Sequence, residues 1–211
     1  MNALYHFLDS IRDNIRKIIR RLAQLLNSVS NGKLTPDTIT LVGLLGHLPI
    51  GYLIAINHFY WAALLLVIFG LFDTLDGELA RMQKKASSAG MLLDASTDRF
   101  KEVILYSAIS YSLINTSHPR YAIWALVACG ASLCVSYVKA KGETAVKDTG
   151  LSANEINRLF QDGLLRFEVR MFLLVLGLLT NHLAWVVIVI ACLASLTAFE
   201  RLYKIRQRLR V

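Results

Sequence analysis

Apolar runs of roughly 18–25 residues, the length that crosses ~30 Å of hydrocarbon as a helix, recur along most of this chain. A fold that must keep its surface in water cannot be built from them. The chain is 55% hydrophobic and only 18% charged over 211 residues, too little polar material to cover a soluble domain of that length. The expected fold is an all-α integral membrane protein with six transmembrane helices. They are placed at roughly 38–56, 60–82, 90–114, 120–140, 167–181 and 183–202. Cys129, Cys134 and Cys192 all lie inside apolar runs, so they read as small core residues, not as a disulfide framework or a metal site.

Residues 1–30 read differently. Leu8, Ile11, Ile15, Ile18, Ile19, Leu22 and Leu26 recur at helical spacing, with Arg12, Arg16, Lys17, Arg20 and Arg21 between them. No uninterrupted apolar core of a cleavable signal is present there. The segment is expected to be an amphipathic juxtamembrane helix lying against anionic headgroups, followed by one six-helix domain over 31–211. The net charge of +8 gathers in this helix and in the C-terminal "RLYKIRQRLR". Anionic lipid accounts for that placement, and no nucleic-acid partner is expected. Basic residues also fill the 82–89 loop and the 139–166 connection, whereas the opposite connections carry only Arg120. By the positive-inside rule both termini face the cytoplasm, in a multi-pass protein of the cell membrane.

Charge inside the spans is the second constraint. Asp73 and Asp76 are three apart in the second span, and Asp94 and Asp98 are four apart in the third. Each pair shares a helix face. A short loop joins the two spans, so they are antiparallel neighbours and all four carboxylates can converge a few turns inside the cytoplasmic face. A carboxylate at that depth costs roughly 2.5–3.5 kcal/mol on insertion scales, and such residues mark functional sites. Four together repel one another unless a cation lies between them. Hard divalent ions suit an all-oxygen set, and two ions can clamp a phosphoanhydride undergoing displacement. Gly77 would let a ligand approach the helix backbone, and Arg81 could neutralise a phosphate. A divalent-cation transporter is the rival from another class, but such folds draw ligands from internal repeats, and no repeat is visible here.

The stretch reads Asp73-x2-Asp76-Gly77-x2-Ala80-Arg81-x8-Gly90-x3-Asp94-x3-Asp98. It resembles, at every position and spacing, the signature of the CDP-alcohol phosphotransferase family. "LTPDTITLVG" at 34–43 is similar to the family's nucleotide-side segment before the first span. The resemblance implies a membrane enzyme of phospholipid synthesis. A CDP-linked lipid such as CDP-diacylglycerol would bind, an alcohol would attack the phosphorus bearing the lipid, and CMP would leave. It implies two Mg²⁺ ions, with Mn²⁺ as an alternative, held by Asp73, Asp76, Asp94 and Asp98. Asp98 would also take the proton of the attacking hydroxyl. Thr35, Pro36, Asp37, Thr38, Gly77, Arg81 and Ser87 are implied as CDP contacts. A homodimer is implied as well.

Two further stretches bear on the acceptor. "SYVKAKGE" at 136–143 and "RFEVRMFLLVLG" at 166–177 resemble segments of prokaryotic phosphatidylinositol-phosphate synthases. Lys141 stands where that pattern prefers arginine, and the second stretch lacks the usual proline. Lys139, Lys141, Arg166 and Arg170 would suit an acceptor that carries its own phosphate. The expected acceptor is therefore a phosphorylated polyol, inositol phosphate first and glycerol 3-phosphate second.

Overall fold

The computed structural model describes residues 17–116, 119–146 and 165–209, and among them every regular element is helical. Helix α1 runs to residue 29. It is followed by α2 (Pro36–Ala55), α3 (Phe59–Gly70), α4 (Phe72–Met82), α5 (Ser88–Ile114), a 3₁₀ turn (Pro119–Tyr121), α6 (Ala122–Val146), α7 (Phe167–Thr180) and α8 (Leu183–Arg208). Leu8, Ile11, Arg12, Ile15 and Arg16 of the expected N-terminal helix lie outside the described residues, as does most of the 142–162 loop.

Among the described residues, four helical segments are long and apolar enough to cross a membrane: Pro36–Ala55, Phe59–Met82, Pro119–Ala145 and Leu183–Arg208. The expected third and fifth spans are present as helices α5 and α7 but do not join that set. Helix α5 carries Asp94, Asp98, Arg99, Lys101 and Glu102 in sequence, and α7 has only 14 residues, short of the ~20 that span a bilayer. The expected second span is two helices. Leu71 separates an entirely apolar α3, which ends at Gly70, from a charged α4. The Leu71 N–H donates to the Ile68 carbonyl at 3.2 Å, a tighter turn than the α-helical one.

The chain forms two compact units. The first takes residues 1–49 and 64–101, the second 50–63 and 102–211. In the first, Ile19 and Ala23 of α1 are buried with Ile39 of α2 and Leu75 and Leu79 of α4, flanked by Leu26, Leu34 and Phe72. One face of α1 is thereby used up. Ile18, Leu22, Leu25 and Val29, spaced four, three and four apart, are exposed, so the helix is apolar on two sides. Gln83 Nε2 donates to Asn27 Oδ1 (2.8 Å) and to the Leu34 carbonyl (2.9 Å), tying the α1–α2 linker to the end of α4.

In the second unit α8 packs against α6 and α7. Ala125, Ala128 and Ser132 on α6 and Ala191, Ala194 and Ala198 on α8 are all buried. Small residues allow this close approach where lipid supplies no hydrophobic drive. Five large aromatic side chains turn the other way: Tyr60, Trp61, Phe172, Trp185 and Phe199 are exposed, as suits surfaces facing acyl chains.

Candidate active site

The aspartates lie on α4 and α5, and the local sequence explains why α5 starts where it does. Ser87 Oγ accepts the Gly90 N–H at 3.1 Å, an N-cap for α5. Lys84, at φ 55°, turns the chain between the two helices. Asp73, Asp76 and Asp94 come together, with carboxylate oxygens within 4.8 Å of one another. Thr40 of α2 donates to Asp76 Oδ2 at 2.6 Å. Asp98 stands apart from this trio and is joined to it by a lysine. Lys101 Nζ donates to Asp73 Oδ1 at 2.5 Å and to Asp98 Oδ1 at 3.1 Å. Arg99 Nη2 is 3.7 Å from the other Asp98 oxygen.

A cleft of about 480 Å³ opens beside the trio. Asp76 and Asp94 of the trio line it. Gly77, Ala80 and Arg81 of α4, Pro36, Asp37 and Thr40 of α2, and Lys85 to Ser88, Gly90 and Met91 form the rest. The two glycines keep it open. A methyl group on Gly77 would stand 3.7 Å from Arg81 Nη1, and one on Gly90 would meet Ser87 Oγ at 3.4 Å and Asp37 Oδ1 at 3.7 Å. Arg81 is exposed, and its Nη2 is held 3.0 Å from Glu78 Oε1. Arg20 of α1 approaches the other oxygen of the buried Glu78 at 3.7 Å. The lining thus combines carboxylates, Asp37, Asp76 and Asp94, with cations, Arg81 and Lys85. Such a mixture suits a metal-bridged phosphate better than a neutral ligand.

The residues expected to touch CDP divide. Pro36, Asp37, Gly77, Arg81 and Ser87 line the cleft; Thr35 and Thr38 do not. Thr35 is instead the N-cap of α2. Its Oγ1 accepts the Thr38 N–H at 3.2 Å and lies 2.8 Å from the Thr38 hydroxyl. The residues expected to hold an acceptor phosphate also divide. Lys139 is half-exposed and 3.7 Å from Glu143, Lys141 lies over the Tyr137 ring at 6.0 Å, and Arg166 is exposed at the start of α7. Arg170 is only 1% exposed. Its Nε donates to the buried Glu102 at 2.7 Å and its Nη1 to the Leu165 carbonyl at 3.0 Å, while Nη2 has no hydrogen-bond partner among the described residues. Most of this guanidinium is committed to holding α5 and α7 together.

Thr40, Glu78, Lys101 and Arg201 are polar residues of these sites that the sequence reading passed over. Lys101 had a visible signal. It follows Asp94 by seven and Asp98 by three, so it shares their helix face. Arg201 had none. It is buried on α8, donates to the Val135 carbonyl at 3.2 Å and lies within electrostatic reach of Arg166 and Arg170.

Comparison with known proteins bears on the fold and the family. The family model for CDP-alcohol phosphatidyltransferase matches residues 33–199. A phosphatidylinositol phosphate synthase of Corynebacterium glutamicum is 38% identical over 133 residues, covering 61% of this chain and 58% of that protein. The chain therefore spans little more than half the length of that relative. An archaetidylinositol phosphate synthase of Pyrococcus horikoshii is 26% identical over 202 residues, covering 96% and 98%. Among solved structures, a Mycobacterium tuberculosis phosphatidylinositol phosphate synthase with CDP-DAG bound has the same fold. Its TM-score is 0.75 at 22% identity, over 90% of this chain and 94% of that one. The same protein has also been solved in complex with manganese and citrate, with a TM-score of 0.76. The matched residues run from the linker before α2, through the aspartate helices and into α8, and on that extent the chain belongs to the CDP-alcohol phosphatidyltransferase family.

Proposed function

We propose that the protein transfers a phosphatidyl group from CDP-diacylglycerol to a hydroxyl of a phosphorylated polyol, inositol phosphate, with release of CMP. One observation carries the reading: Asp76 and Asp94 belong both to the three-carboxylate group and to the wall of the cleft. A diphosphate seated there has the carboxylates of Asp76 and Asp94 and the guanidinium of Arg81 in the same cleft. The donor set of Asp73, Asp76 and Asp94, all oxygen and all anionic, fits Mg²⁺ or Mn²⁺. A bound ion would neutralise the diphosphate and polarise its phosphorus.

The chain's own residues do the rest. Arg81, braced by Glu78, neutralises phosphate charge. Gly77 and Gly90 leave room for the diphosphate and nucleoside, and Lys85 to Ser88 border the nucleoside end. Asp98 takes the proton of the attacking hydroxyl. The new bond joins that oxygen to the phosphorus bearing the lipid, and the bond to CMP breaks. Such transfers need positioning and charge neutralisation more than covalent chemistry from the protein. Lys139, Lys141 and Arg166 would hold the acceptor's phosphate, and Arg170 would anchor the start of α7 beside them. The names of the Corynebacterium and Pyrococcus relatives support inositol phosphate over glycerol 3-phosphate.

The test is CMP release from CDP-diacylglycerol in Mg²⁺, with inositol phosphate, glycerol 3-phosphate, free inositol and serine as separate acceptors. Inositol phosphate should give the highest kcat/KM. Lys139→Gln and Arg166→Gln should raise its KM about ten- to a hundredfold, the scale of one lost charged hydrogen bond, with a smaller change for the CDP-lipid. Equal use of free inositol, with KM unmoved by either substitution, would remove the phosphate pocket. Preference for glycerol 3-phosphate would change the acceptor and leave the chemistry.

The proposed setting is a homodimer with six spans, α5 and α7 among them, cytoplasmic termini and α1 in the cytoplasmic interface. Helices too charged or too short to cross alone can do so when neighbours cover them. Single cysteines at Ser88 and Asn115, in a background lacking Cys129, Cys134 and Cys192, should react with an impermeant reagent from opposite sides of the membrane. Labelling of both from one side would overturn the six-span arrangement.

A further inference from the structure

Lys101 is fully buried one turn beyond Asp98 on α5. An ammonium is kept out of water at a cost repaid only by close, well-directed anions. Here those anions are two of the four signature aspartates. Asp73 Oδ1 and Asp98 Oδ1 both accept hydrogen bonds from Nζ, at 2.5 and 3.1 Å.

The four carboxylates therefore do not form one symmetrical cage. Asp73, Asp76 and Asp94 frame one cation place, with oxygens within 4.8 Å of one another. Asp73 and Asp98 frame a second, and the chain supplies its own cation there. Asp73 is common to both. A divalent ion entering the second place must compete with the ammonium for Asp73 Oδ1 and Asp98 Oδ1. The ammonium is tethered to the same helix as Asp98, three residues away, so it is always present at high local concentration.

We infer that Lys101 is a resident counter-cation, and that the substrate-free protein binds one divalent ion, not the two its aspartate signature implies. It takes a second only when the ammonium gives up Asp73 and Asp98. The inference rests on the reading of Asp73, Asp76 and Asp94 as metal ligands. It makes Lys101 a positioning residue. It fixes Asp98 beside Asp73 without a metal and sets the number of ions bound before substrate arrives.

Mn²⁺ binding to the full chain in detergent, without nucleotide or acceptor, tests this. Calorimetry gives the stoichiometry, and the electron paramagnetic resonance signal of free Mn²⁺ checks it. One equivalent should bind to the parent protein. Lys101→Met and Lys101→Gln remove the charge at two different side-chain polarities, and each should shift the stoichiometry from one to two. Two equivalents in the parent protein would overturn the inference and leave the metal reading intact, and that measurement needs no variant to fold. A stoichiometry of one in the variants as well would likewise overturn it. Absence of any Mn²⁺ binding by the parent would overturn both.

Discussion

Asp98→Asn is expected to lower CMP release by roughly 10²–10⁴, the usual scale for losing a general base, while CDP-lipid binding in Mg²⁺ survives. The reason is positional. Asp98 is outside the trio of carboxylates that frames the cation place and is tied to it through Lys101. Asparagine keeps the shape and can still meet the Lys101 ammonium through its carbonyl oxygen, but it cannot accept a proton. Asp76→Asn makes the contrast. Asp76 lines the cleft and accepts from Thr40, so its loss should weaken ion binding and CDP-lipid binding together. The measurements are CDP-lipid affinity and single-turnover CMP release for both variants across a Mg²⁺ titration. Near-normal turnover in Asp98→Asn would take away the base role, as would rescue by excess Mg²⁺ alone.

Arg170→Gln is expected to act on stability before it acts on catalysis. Arg170 and Glu102 are both buried, 2.7 Å apart, on α7 and α5. Removing one partner leaves an uncompensated buried charge, a loss of roughly 3–5 kcal/mol. For a chain of this size that corresponds to a fall in Tm on the order of 10 °C. Replacing both partners by apolar residues of similar volume, Arg170→Met with Glu102→Leu, should recover most of the loss. Thermal unfolding in detergent, with the acceptor KM measured on the same samples, separates two roles. An unchanged Tm with a raised KM for the phosphorylated acceptor would make Arg170 a substrate ligand and refute its part as a clamp.

Local spacing carried much of this protein in the sequence itself. The i,i+3 and i,i+4 intervals of Asp73, Asp76, Asp94 and Asp98 are helical properties, and the short 82–89 connection makes their helices neighbours; no long-range information is needed. The same reasoning places α2, α6 and α8, whose apolar runs are long enough to be recognised singly. For α5 and α7 it reaches the helices and not their crossing of the membrane, because length and hydropathy describe one helix while charge within a helix is tolerated according to what covers it. It also overlooked the break at Leu71, where apolar composition continues although the helix does not.

Which cation meets which anion was decided only by the tertiary structure. Lys101 and Asp73 are 28 residues apart, and Arg170 and Glu102 are 68 apart. In sequence Arg170 is one more positive residue near a loop, whereas in the fold it is spent on a buried glutamate. Thr35 reads as a nucleotide contact, and only the fold adds that its hydroxyl caps α2. Periodicity assigns a side chain to a helix face, but only the packing of helices says what stands opposite that face, and for a charge removed from water that partner determines the role.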